Sequence, residues 1–308
     1  MTMNASASSK WIDNVSVDDR PEAVAVVALR SRFKAVLREL PKAAKNTKGN
    51  SKAVHQLRVW TRRATAALRL YAEFLPEKDV AWLKKRLKRI RHAANDARDC
   101  DVLIEHLSGR RSSAHAEHWL QHVAAEREAA QHKIVEVYND LIPNRKLKKR
   151  VDSLLKKLAT PAQESKPETA LFGLWSRQQL RPFVDDFFAA VPTDFNDESA
   201  LHQFRIQGKH LRYAMELLVA AFPASFRTRL YPTIESLQDR LGKINDIRGL
   251  KARLQKKIEH APDADSAAVS RQQLAKYEAR QQQNLKSFQA WWTPKRAASL
   301  RQTFEKLL

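Results

Sequence analysis

Residues 52–76 read KAVHQLRVWTRRATAALRLYAEFLP and run from Lys52 to Pro76. Wound at about 100° per residue, Leu57, Ala64, Leu68, Tyr71 and Leu75 gather on one side. His55, Arg58, Arg62 and Arg69 gather within about 60° of one another on roughly the opposite side. An apolar stripe facing away from a basic one marks a helix with one side in a core. No two-residue alternation suggests a strand here. From His55 to Arg69 the basic stripe would extend ~21 Å at ~1.5 Å per residue.

The same three- and four-residue spacing continues outward in both directions, which predicts an all-α chain. Upstream, Pro21 opens a helix carrying Val26, Leu29, Phe33, Val36, Leu37 and Leu40, with Pro41 and Gly49 at its exit. Downstream, one helix is expected from about Glu77 to Leu107, then a turn over 108–113, and a further helix over 114–141. Residues 143–168 hold three prolines and the basic run Arg145, Lys146, Lys148, Lys149 and Arg150, and read as a short helix followed by a linker. Helices then resume over about 169–190, 196–222, 225–259 and 266–290, with a short last one after Pro294. Residues 1–19 lack an apolar segment and read as a floppy tail.

The deciding stretch occurs twice. His55-Gln56-Leu57-Arg58-Val59 returns as His202-Gln203-Phe204-Arg205-Ile206, an offset of 202 − 55 = 147. Without a gap, Arg62 meets Lys209, Ala67 meets Ala214, Leu70 meets Leu217 and Pro76 meets Pro223. Asp99 falls on Asp246, Leu103 on Leu250, Arg30 on Arg177 and Lys34 on Arg181. The expected organisation is a first helical repeat at 20–142, a basic linker at 143–168 and a second repeat at 169–308, forming one domain. Duplicated halves are expected to pack about a pseudo-two-fold axis.

Of 308 residues, 56 are Lys or Arg and 34 are Asp or Glu, a formal net charge of +22. With 43% apolar residues the chain can build a core, which argues against a disordered polycation. The single Cys100 fits a reducing cytoplasm and excludes a cysteine-based zinc cluster. Six scattered glycines cannot assemble a phosphate-cradling or dinucleotide loop, and no cofactor is predicted. No apolar run approaches the ~18 residues of a membrane span.

The positive charge is patterned. His202, Arg205, Lys209 and Arg212 repeat the first stripe, and Arg63 and His210 occupy equivalent flanking positions. Glu216 falls where Arg69 sits, so the second stripe is expected to be shorter. Lys85, Lys88, Arg89 and His92 lie opposite the apolar face of their helix, and Arg30 and Lys34 stand beside the core stripe of the first helix, matched by Arg177 and Arg181 in the second half. Solvated helix faces ordinarily mix signs, because like charges at i,i+4 cost a few tenths of a kcal/mol per pair. A bound polyanion would offset that cost, and arginine's fork suits phosphate oxygens. A histidine heading each stripe would bind an anion better once protonated.

His55-Gln56-Leu57-Arg58-Val59-x-x-Arg62-Arg63, Arg98-Asp99-Cys100-Asp101-Val102 and His202-Gln203-Phe204-Arg205-Ile206-x-x-Lys209-His210-Leu211-Arg212-Tyr213 together resemble the CHAD family, named for histidines in an α-helical domain. The resemblance covers about residues 20–290. It implies two four-helix units around a basic central channel that binds inorganic polyphosphate, and association with polyphosphate granules. Carried over by motif, the binding residues are His55, Arg58, Arg62, Arg63, His202, Arg205, Lys209, His210 and Arg212. Arg69, Arg30, Lys34, Lys85, Lys88, Arg89, Arg177 and Arg181 join them on the stripe reading. Asn245-Asp246-Ile247-Arg248 departs from the Arg-Asp-x-Asp of the first half. Asp99 and Asp246 read as groups that orient neighbouring arginines. The Glu-x-Glu-x-Lys strand of triphosphate-processing relatives is absent, so no enzyme activity is predicted.

Two rival chemistries have sequence support. His115, His118 and His122 stand at i, i+3 and i+7 of one helix, a spacing that suits zinc ligands, with Glu117 nearby in sequence, but no further carboxylates support them, and they read as surface histidines. A pI near 10.2 also satisfies the electrostatic footprint of nucleic-acid binding, the second choice of ligand. Against it, Trp60, Tyr71, Phe74 and Trp82 fall on or near apolar sides, leaving Trp291-Trp292 as the pair open to base stacking. An anionic membrane surface fits poorly, because the basic faces lack flanking large apolar residues. The sequence leaves the oligomeric state open.

Overall fold

The computed structural model describes residues 9–46, 51–108, 114–160, 171–260 and 264–308. Among them are eleven α-helices and no strand, as the periodicity predicts. The chain divides into two compact units, Met1–Trp175 and Ser176–Leu308.

In the first unit, α1 (Pro21–Ala44) starts with proline in its first turn, where the missing N–H costs nothing. Its Val24, Leu29, Phe33, Val36 and Leu40 are buried, and the helix packs against α2 (Ser51–Leu70), whose Leu57, Ala64 and Leu68 are fully covered. The basic stripe of α2 is therefore turned outward by the burial of the opposite side. The single helix expected over 77–107 is instead two. α3 (Glu77–Ala93) ends at Ala94 and α4 (Asn95–Ser108) follows, which lets one segment pack on α2 and the next mainly on α5 (Ala114–Leu141). Periodicity misses such a break because both segments keep the same helical spacing.

The short helix expected at the head of the 143–168 segment is α6 (Lys146–Ala159), which buries Leu147, Val151, Leu154 and Leu155 and packs on α1 and α3. Buried Asp79 of α3 pairs with Arg150 at 2.7 Å and Lys157 at 2.9 Å, so Arg150 of the basic run and Lys157 two turns on tie α6 to α3. The unit boundary falls between Trp175 and Ser176, beyond that segment; residues 161–168 lie outside the described ones.

Residues 9–19, expected as floppy tail, are fastened down. Fully buried Arg32 donates to Lys10 O at 2.6 Å and Ser9 O at 3.3 Å, and Ile12 is buried. Phe172 N and Gly173 N donate to Asp19 O and Val17 O, both at 2.9 Å. A guanidinium enclosed in a core requires acceptors, and these carbonyls supply them.

The second unit contains α7 (Phe172–Ala189) from Ser176 onward, α8 (Glu198–Leu218), α9 (Tyr231–Glu259), α10 (Ala264–Trp291) and α11 (Pro294–Glu305). Asp197 caps α8 by accepting from Ser199 N at 2.8 Å and Ala200 N at 3.0 Å. Phe187, Phe204 and Trp292 form an aromatic centre, with Phe204 5.1 Å from Phe187 and 5.7 Å from Trp292. The helix expected from 225 begins as a π-helical turn, Phe226–Leu230, before α9. Unlike α3 and α4, α9 runs unbroken through Leu241, the counterpart of Ala94.

Candidate functional site

The first unit gathers His55, Arg58 and Arg62 of α2 with Arg98 of α4. Arg58 is 15% exposed and lies 3.7 Å from Asp99, which is 60% exposed. Its Nη1 is buried and makes no hydrogen bond. Burial, then Arg62, pulls the Arg58 guanidinium down to about 10 from 12.5, against the attraction of Asp99. Partial burial, then Arg98, Arg58 and Arg62, also lowers the His55 pKa from 6.5, against Glu105. Protonated His55 is thus disfavoured by three neighbouring cations. The cluster carries more positive charge than its own carboxylates neutralise.

Arg98 stands in the Arg-Asp motif but not on the α2 stripe, so helical winding misses it. Its sequence signal is the adjacent Asp99, which lies 3.7 Å from Arg58 where α4 runs beside α2.

The second unit builds a related cluster from different residues. His202 Nδ1 lies 3.2 Å from Arg248 Nη2 of α9. Burial and Arg248, followed by Arg205 and Lys209, push the His202 pKa down, while a hydrogen bond with Asn245 pulls it up. The departure Asn245-x-x-Arg248 therefore moves the extra cation one turn along: Arg98 serves His55, and Arg248 serves His202. His202, Arg205, Asn245 and Arg248 line a small cavity of about 20 Å³ with Glu198 and Gln281, room for about one water. Gln281 accepts from Lys251 at 2.8 Å and donates to Glu198 at 3.1 Å, anchoring the start of α8 to α10.

Other predicted residues are spread more widely. Arg63 stacks on buried Trp60 at 4.7 Å, a ring that Arg32 also approaches at 5.6 Å. Arg69, Arg30, Lys34, Lys85, Lys88, Arg177 and Arg181 are exposed. Arg89 is not a free member of a stripe: it pairs with Asp140 of α5 at 2.5 Å, which also holds Lys146 at 2.6 Å. Both hydrogen bonds, Lys146 first, lower the Asp140 pKa. His210 Nδ1 lies 3.1 Å from Gln207 Oε1. Arg212 lies against Tyr213 and 3.9 Å from Glu235, with its Nε buried and making no hydrogen bond. Glu216, expected to shorten the second stripe, is wholly buried and accepts from Tyr231 Oη at 2.8 Å. It is a core group where Arg69 is a surface one.

The rival motifs separate in the same way. His122 pairs with Glu126 at 3.3 Å, while the side chains of His115 and His118 lie outside the described residues. No group of three metal-binding side chains forms among the described residues. Arg240 at 4.9 Å and Arg296 at 4.5 Å already lie over the Trp291 ring, and Trp292 is buried. Among the described residues, the exposed large apolar side chains are Val17, Val27, Leu171 and Leu174, none aromatic. No described helix is long and apolar enough to cross a membrane.

These features define an all-α protein with an excess of cations on one helix face of each unit. The family profile of the CHAD domain matches residues 27–255, and the chain belongs to that family, which is associated with polyphosphate binding. Its fold is similar to the crystal structure of the CHAD domain from the plant Ricinus communis, at TM-score 0.70 and 20% identity, over 93% of this chain and 96% of that one. It is also similar to PptA from Streptomyces chartreusis, at TM-score 0.62 and 15% identity, over 94% of this chain and 100% of that one. No match was found among the curated proteins.

Proposed function

We propose that this protein binds inorganic polyphosphate without transforming it, using the basic face of each unit, and that it acts in the cytoplasm on polyphosphate granules. Arg58 carries the reading: a mostly buried guanidinium whose Nη1 makes no hydrogen bond, with two further arginines beside it and a single carboxylate, Asp99, at 3.7 Å. Such a group gains most from an anion that brings several oxygens at once. A linear chain of phosphates matches cations repeated along a helix, and it needs no ring to stack on. His202, Arg205, Lys209 and Arg248 offer the same chemistry on the second unit.

The test is binding of labelled long-chain polyphosphate to wild type and to the Arg58→Ala, Arg205→Ala double variant, with duplex DNA as competitor. Loss of two charge-assisted contacts, each worth about 1.5–3 kcal/mol, predicts more than a tenfold loss of affinity with helicity unchanged. Equal affinity in a folded double variant overturns the assignment. Displacement by DNA at equal charge as effective as by unlabelled polyphosphate moves the reading to nucleic acid.

A further inference from the structure

The second unit contains a cleft of about 680 Å³ between the turn that opens α9 and the start and outer side of α11. Arg229, Lys295 and Arg296 line it, and no carboxylate side chain does. Phe226, Leu230, Leu300 and Leu307 supply its apolar wall. Thr233 and Thr303 donate to helix carbonyls and Thr293 caps α11, whereas Ser225 and Ser299 keep their hydroxyls for another partner.

The internal duplication shows that this space is a feature of one copy. With the offset of 147, buried Leu83 and Leu87 fall on buried Leu230 and Ile234, which places Asp79 on Phe226, Trp82 on Arg229 and Arg86 on Thr233. In α11, buried Leu300 and Phe304 fall on Val151 and Leu155 at an offset of 300 − 151 = 149, which places Arg150 on Ser299. In the first unit these positions fill one another. Arg86 and Arg150 lie over Trp82 at 4.9 and 5.6 Å, and Asp79 binds Arg150 and Lys157. In the second, the ring becomes an arginine, the two arginines become hydroxyls, and the neutralising carboxylate becomes a phenylalanine. The exchange opens a volume and leaves it cationic.

We propose that this cleft is a second ligand site, distinct from the basic α8 face, for a small phosphorylated molecule with an aromatic or aliphatic body. The volume lies in the range of small-molecule pockets. Arg229 and Lys295 bind the phosphate, Ser225 and Ser299 donate to its oxygens or to the body's polar edge, and Phe226, Leu230 and Leu300 cover the body. A π-helical turn contributes Phe226, Arg229 and Leu230, a backbone form that recurs at functional sites. A two-ended ligand is required because inorganic phosphate would leave the apolar wall unused.

The test uses AMP and inorganic phosphate as probes, titrated calorimetrically into the full chain. Three proteins are compared: wild type, Arg229→Ala with Lys295→Ala, and Arg229→Trp, which restores the residue of the first copy. AMP is expected to bind wild type at least tenfold more tightly than inorganic phosphate, and to lose at least tenfold in both variants. Polyphosphate affinity is measured in parallel and stays within twofold, so failure here is distinguishable from failure at the α2 and α8 faces. No AMP binding to wild type, or AMP binding unchanged in the two folded variants, overturns the proposal. Equal affinity for inorganic phosphate overturns the role of the apolar wall.

Discussion

At the scale of single residues, His55 and His202 have the most informative surroundings. Burial and neighbouring cations lower both pKa values below 6.5, so the folded state takes up protons less readily than the unfolded chain. Their contribution to stability is therefore present above pH 6.5 and is lost as the pH falls below it toward the depressed folded values. A polyanion reverses the local field and favours the protonated rings. Polyphosphate should bind more tightly at pH 5.5 than at pH 7.5, and raise the melting temperature more at the lower pH. His55→Gln with His202→Gln should flatten both trends. An affinity independent of pH in wild type would remove the histidines from the site. These histidines were legible from sequence, because each heads a basic stripe at a repeated position. Arg98 and Arg248 were not, because their proximity depends on how a second helix lies beside the first.

At the scale of helices, α8 and α9 meet at a point set by Gly208. A Cβ there would fall 2.1 Å from Gln238 Nε2 and 3.5 Å from Leu237 Cδ2. Gln238 is nearly buried, so its amide has little space to retreat into. Gly208→Ala should cost about 1–3 kcal/mol in urea unfolding, the usual range for overpacking. Adding Gln238→Ala should recover most of that loss; no recovery would mean that the backbone, not the amide, is displaced. The equivalent residue of the first copy is Thr61, also fully buried, so the two helix crossings are built differently on one sequence pattern. Helix existence was readable throughout, since apolar spacing is a local property. The break at Ala94 and the docking of α6 were not, because they are settled by partners on other helices.

At the scale of the whole molecule, the formal charge of +22 makes polyanion binding strongly dependent on salt. Raising NaCl from 50 to 200 mM should weaken polyphosphate binding by more than tenfold, and Arg58→Ala with Arg205→Ala should make the log–log slope shallower by about two counterions, following the release of condensed ions. An unchanged slope would mean that those two arginines do not meet phosphate. Several other cations are paired with carboxylates within the protein. Arg89 and Lys146 share Asp140, Arg150 and Lys157 share Asp79, and Arg127 lies 2.6 Å from buried Asp101. Net charge alone does not separate these from cations left for a ligand.

The sequence by itself determined the helical class, the repeat of 147 residues and the two histidine-headed basic faces. Periodicity, offset and charge order are properties of a linear chain. Only the tertiary structure decided which cations stand together. It brought Arg98 and Arg248 to the histidines, turned Arg63 onto Trp60, and paired Arg89 with Asp140. It also emptied in the second unit a space that Trp82 and its arginines fill in the first. Those outcomes depend on side chains from segments far apart in sequence competing for the same volume and counter-charge, and only the folded packing brings them within reach.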